Sequence, residues 1–120
     1  MDMTFYDSSG SPIAYTEDDE HIYLYSGEPI GYTSKGSIYA YSGKHLGWFA
    51  KAWVRDHGGF CVFFTASARG GPMKPMKKMK PMKGMKGMKP MKGMKQMKPM
   101  KAMDQSSWSS LSGPQFFHQD

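Results

Sequence analysis

Cysteine is nearly missing from this 120-residue chain: Cys61 stands alone, which excludes an intrachain disulfide and any multi-cysteine zinc site. Long apolar runs are missing too. The start Met1-Asp2-Met3-Thr4-Phe5 has no basic segment leading into an apolar one, and no stretch approaches the roughly 20 apolar residues of a membrane helix. The expectation is therefore a cytoplasmic protein without secretory signal or span. Histidine occurs four times, at His21, His45, His57 and His118, each isolated along the chain. A nucleophile at Cys61 needs His45 or His57 within hydrogen-bonding distance, and no spacing suggests it; between Phe60 and Val62 on a strand, a buried inert thiol is expected. No cofactor motif and no metal motif is present. A non-enzymatic protein without a small-molecule substrate is the expectation, and a Cys61-dependent enzyme is the remote alternative.

What is present is a repeat. Gly10, Ile13, Tyr15; Gly27, Ile30, Tyr32; Gly43, Leu46, Trp48; and Gly59, Val62, Phe64 share one spacing, with the glycines 16 or 17 residues apart. Each copy reads as a β-hairpin turning at its glycine. Ser26-Gly27 and Ser42-Gly43 suggest tight two-residue turns, whereas Asp7-Ser8-Ser9-Gly10 and Asp56-His57-Gly58-Gly59 suggest longer ones. Pro12 and Pro29 cannot donate to a ladder and belong at strand starts or edges. Ala14, Gly31 and Gly47 leave room for close backbone approach or for a covering ring, and Phe63 breaks that rule in the fourth copy. The expected fold is all-β: four sequential hairpins with pseudo-fourfold symmetry, as a flower or small barrel. The rows Tyr23, Tyr25 and Tyr39, Tyr41 are expected to pack in the core; left exposed, they form a recognition face.

The runs Phe5-Tyr6-Asp7 to Pro12-Ile13-Ala14-Tyr15, Ile22-Tyr23-Leu24-Tyr25-Ser26-Gly27-Glu28-Pro29 and His45-Leu46-Gly47-Trp48-Phe49 resemble the four-fold beta-flower domain of bacteria. The resemblance covers about residues 4–66. It implies a four-hairpin all-β domain and carries over no catalytic or binding residue.

The second half is a different material. From Met73 to Met103 methionine takes every third position, eleven times, and lysine follows the first ten: Lys74, Lys77, Lys80, Lys83, Lys86, Lys89, Lys92, Lys95, Lys98 and Lys101. Proline and glycine recur in the third slot, which rules out a stable helix, and the period of three matches polyproline II. The reading is a body over 1–70, a disordered or polyproline II-like arm over 71–103, and a Ser-rich tail over 104–120 whose Trp108, Phe116 and Phe117 dock on the body or serve as a linear motif. The body is expected to fold without the arm.

Residues 1–70 carry net charge −3 and residues 71–120 net +9. The run Glu17-Asp18-Asp19-Glu20 reads as a solvated turn or, as a minor reading, as an acidic holder for the arm's lysines. Those lysines point to nonspecific contact with nucleic acid or anionic lipid. With no ring from Lys74 to Lys101, the arm offers bases no stacking platform. Other readings are an inert spacer, a protein partner or homo-oligomer, and soft-metal binding of Cu(I) or Ag(I) by thioethers. Methionines about 9 Å apart in polyproline II, with lysines between them, disfavour the metal.

Overall fold

Each turn glycine ends one strand and starts the next on the same tight pattern. In the computed structural model, which describes residues 2–119, the amides of Gly10, Gly27, Gly43 and Gly59 all donate to the carbonyl three residues earlier, at 2.9–3.0 Å. The glycines adopt φ between +84° and +100°. All four hairpins therefore share one three-residue loop closed by a glycine bulge, including the Ser-Gly copies expected to use two-residue turns. A two-residue turn of the mirror-image kind needs positive φ at Ser26 and Ser42 as well, and neither serine adopts it.

The strands are β1 (Met3–Tyr6), β2 (Pro12–Thr16), β3 (His21–Leu24), β4 (Pro29–Ser34), β5 (Ser37–Tyr39), β6 (His45–Ala50), β7 (Trp53–Arg55) and β8 (Cys61–Phe64). They pair antiparallel in chain order and close into a barrel, β8 meeting β1 through the single pair Tyr6↔Phe64. Pro12 and Pro29 stand first in their strands, as expected.

A bulge recurs in every hairpin. Phe5 pairs Ala14 and Tyr6 pairs Pro12, leaving Ile13 extra; Ile30, Leu46 and Val62 are the extra residues of the other three. The bulge turns two successive side chains inward, so Ile30 and its counterparts join the core beside Ala14, Phe5, Ile22, Ile38 and Val54. The rings after them then point outward.

The interior is not filled by the strands alone. A short helix, α1 (Gly113–Phe117), is capped by Ser112 and Gln115 in a reciprocal box and inserts Phe116 and Phe117 into the barrel core. A Cβ at Gly47 would come within 2.8 Å of Phe116, and one at Gly31 within 3.9 Å of Phe117. Nearer still are cross-strand carbonyls, that of Tyr39 at 2.7 Å from a Cβ at Gly31 and that of Arg55 against one at Gly47. These glycines thus admit close backbone approach first and, at Gly47, the Phe116 ring as well. Phe63, the exception among the four copies, fills its own share and packs edge-on to Phe116 (5.7 Å) and stacked on Phe117 (5.5 Å).

The arm, expected to be disordered or polyproline II-like, lies along the barrel as extended chain. Residues 73–103 form no helix or strand, yet they run around the barrel against all four hairpins in turn, and Trp108 closes the circuit beside Trp53 and Phe64. Body, arm and tail are one packed unit, because the tail supplies rings to the body's core.

Candidate interaction surface

The belt is seated by its backbone. Carbonyls of Met76, Met85, Met94 and Met103 lie against Gly10, Gly27, Gly43 and Gly59, where any Cβ would collide with them. One hairpin therefore consumes nine residues of belt, three triplets. At about 3.1 Å per residue in an extended polyproline-like strand, four such steps make a loop about 36 Å across. The molecule measures 35 × 35 × 23 Å, so each nine-residue step matches about a quarter of the circumference.

The nine-residue period explains the third slot of the triplets. Amides of Lys78, Gly87, Gln96 and Gln105 donate to the carbonyls of the four turn glycines at 2.8–3.0 Å. Gly84 and Gly93 donate to Tyr25 and Tyr41, both at 2.7 Å. The equivalent slot in the first copy is Pro75, which has no N–H, and in the fourth it is Ala102. Pro81, Pro90 and Pro99 take the remaining slot, where no such donor is used.

Between neighbouring hairpins, outward rings pair: Tyr15 with Tyr23 (5.9 Å), Tyr32 with Tyr39 (5.6 Å) and Phe64 with Tyr6 (5.3 Å). These rings are buried, so the Tyr-rich faces are packed and offer no open recognition surface. Part of the cover is the belt's lysines. Lys83 and Lys86 lie over Tyr15 and Tyr23, Lys92 and Lys95 over Tyr32 and Tyr39, and Lys77 over Tyr6, at 4.4–5.8 Å from the ring centres. The remaining junction reverses the charges. Arg55 stands where Tyr6, Tyr23 and Tyr39 stand, Asp104 stands where Lys77, Lys86 and Lys95 stand, and the two approach to 3.5 Å.

The acidic run holds the arm, the minor of the two readings of Glu17 to Glu20. Lys83 pairs with Glu17 (2.8 Å) and Asp2 (3.1 Å), Lys86 with Glu17, and Lys92 with Glu20 (2.7 Å). Hydrogen bonds from Lys83 and Lys86 hold the Glu17 carboxyl below its usual range, and Lys92 does the same for Glu20. Asp18 is desolvated, which opposes ionisation, but the His21 side chain and the His21 and Glu20 amides still hold it well below the carboxylate norm. Lys74 reaches the Ala68 carbonyl at 2.6 Å, and Lys101 reaches Asp104 at 3.0 Å. Among the described residues, Lys80, Lys89 and Lys98 make no hydrogen bond, ion pair or ring contact. The ten candidate lysines thus divide by the period of nine into seven that clamp the body, the tail or a ring and three, at 80, 89 and 98, that do not.

The methionines face the other way. All eleven, from Met73 to Met103, are 82–95% exposed.

Cys61 is fully buried, burial raises its thiol pKa, and its backbone bonds with Ser107 and Ser109. His45 and His57, which looked unrelated in sequence, meet at 3.0 Å, and His45 Nε2 lies 3.0 Å from Ser37 Oγ. Ser37 and His45 have no exposed surface, and His57 is half-buried at the outer end of the chain of groups. Burial, then His57 and Lys98, lower the His45 pKa to about 4. No cluster of three or more His, Cys, Asp or Glu able to hold a metal ion occurs among the described residues, and none of their helices is long and apolar enough to cross a membrane.

The belt's docking was the main feature that residue-by-residue reading missed. Its signal was present: Pro81, Pro90 and Pro99, and Gly84 and Gly93, repeat every nine residues inside the period of three.

No curated protein and no solved structure matches the chain. A family model described as 4-fold beta flower protein matches residues 3–117, a span that takes in the barrel, the methionine-lysine belt and the plugging helix together. With four hairpins around one axis and the match extending over nearly the whole sequence, the chain belongs to the 4-fold beta flower family.

Proposed function

We propose that the protein is a non-enzymatic interaction module that binds anionic membrane surfaces through its belt. The observation that carries this reading is the exposure of all eleven belt methionines, 82–95%, on a rim that also presents unpaired lysines at positions 80, 89 and 98. Soluble proteins bury most large apolar side chains or gather them at contact sites. A rim alternating flexible thioethers with ammonium groups fits the boundary between lipid headgroups and acyl chains, where each lysine near the surface contributes on the order of 1 kcal/mol. The inner face of a cytoplasmic membrane offers such a surface.

The same lysines support nucleic acid as a second reading, which leaves the methionines without a role. Soft-metal capture is less supported, because side chains diverging outward from a ring do not converge on one ion. The burial of Cys61 gives a thiol-dependent enzyme little support.

Vesicle co-sedimentation tests the proposal. The protein should pellet with phosphatidylserine-containing vesicles, less as salt rises, and not with phosphatidylcholine alone. Replacing Met79, Met88 and Met97 by serine should weaken lipid binding at least several-fold and leave DNA retention unchanged. Equal retention on neutral vesicles, or loss of DNA and lipid binding together, would sink the lipid reading.

A further inference from the structure

We infer that the belt methionines form an oxidant-accepting array, a site of reversible sulfoxide formation that leaves the fold intact. Thioether oxidation usually damages a protein because the sulfur is packed in a core and the sulfoxide is polar. Here backbone and side chain are divided. The belt docks through the carbonyls of Met76, Met85, Met94 and Met103 and through amides that include Gly87 and Gln96. Lysine heads add the remaining clamps on tyrosines and on Glu17 and Glu20. None of these contacts uses a sulfur, and every belt methionine is at least 82% exposed. Met3, by contrast, is partly buried against the barrel core.

The step is a two-electron oxygen transfer. The sulfur lone pair attacks one oxygen of hydrogen peroxide, the O–O bond breaks, the sulfoxide S–O bond forms, and water leaves. A thiol-dependent sulfoxide reductase reverses it, with two thiols becoming a disulfide and the oxygen leaving as water. Eleven conversions replace an apolar rim with a polar one while the clamps persist. Resting on the membrane reading above, oxidation then releases the protein from lipid.

The experiment treats the full-length protein with graded hydrogen peroxide, followed by peptide mapping, near-ultraviolet circular dichroism and thermal melting. Oxidation of residues 73–103 at least tenfold faster than Met3, with near-ultraviolet signal and melting cooperativity retained, is expected. Comparable rates at Met3 and the belt, or loss of the near-ultraviolet signal as belt sulfoxides accumulate, would overturn the array. Vesicle binding then separates the two claims. Binding by the reduced protein and release on oxidation supports the regulation, and equal binding of both forms rejects it. Binding by neither form rejects the membrane reading instead, and the array is then decided by the mapping alone.

Discussion

At Ala52 the backbone adopts φ +68°, beside Lys51 at +53°, in the two-residue turn between β6 and β7. The equivalent turn between β4 and β5 uses Lys35-Gly36, with glycine at +80°. A left-handed conformation costs an L-residue roughly 1–2 kcal/mol, so Ala52→Gly should raise unfolding free energy by about 0.5–1 kcal/mol in urea titration, the gain being trimmed by the lost methyl contact. His45 makes an opposite kind of demand. Its folded pKa, about 4, lies below the ordinary 6.5, so the unfolded chain binds a proton that the folded one refuses across that window. The associated stability is whole above pH 6.5 and is lost as pH falls toward 4, at up to about 1.4 kcal/mol per pH unit. The lowered His57 adds in the same direction. His45→Gln should flatten the fall in melting temperature over that range, and an unchanged slope would contradict the assignment.

Belt and hairpins must agree in register, and single atoms test whether they do. A Cβ on Gly93 would collide with the Ser42 carbonyl, while one on Gly87 meets only Pro29 Cδ at 3.3 Å and the Gly27 carbonyl at 3.8 Å. Gly93→Ala should therefore break the bond to Tyr41 and cost about 1 kcal/mol, and Gly87→Ala should fall within about 0.5 kcal/mol of the parent by thermal melting. The reversed junction offers a cycle. Asp104→Lys alone sets an ammonium against the Arg55 guanidinium, whereas Arg55→Tyr with Asp104→Lys recreates the tyrosine–lysine contact of the other copies. The double variant should be more stable than the sum of the single changes by about 0.5–2 kcal/mol, and strict additivity would deny the coupling.

Taken whole, the molecule is a barrel whose ends and grooves are completed by chain that comes after it. Phe116 is fully buried. Phe116→Ala should destabilise by about 3–5 kcal/mol in denaturant unfolding. Truncation after Ala68 removes belt and plug together and should leave an expanded species without near-ultraviolet signal, since Gly31 and Gly47 then border a void. A cooperative, native-like truncation would show that the barrel closes without them.

Four hairpins were legible from the chain because turn chemistry is local: a glycine at positive φ with alternating apolar residues on either side specifies a hairpin wherever it occurs. The gap left by Ala14, Gly31 and Gly47, and Phe63 as its exception, were also readable as packing facts. Other features depended on distance. A triplet of methionine, lysine and a turn-former has no core of its own, so composition alone describes an unfolded arm. Only the closed barrel supplies the carbonyls, tyrosines and carboxylates at the spacing that nine belt residues match. Local residue chemistry sets the elements; the circumference of the folded sheet decides whether the belt has anything to hold, and which side of it faces out.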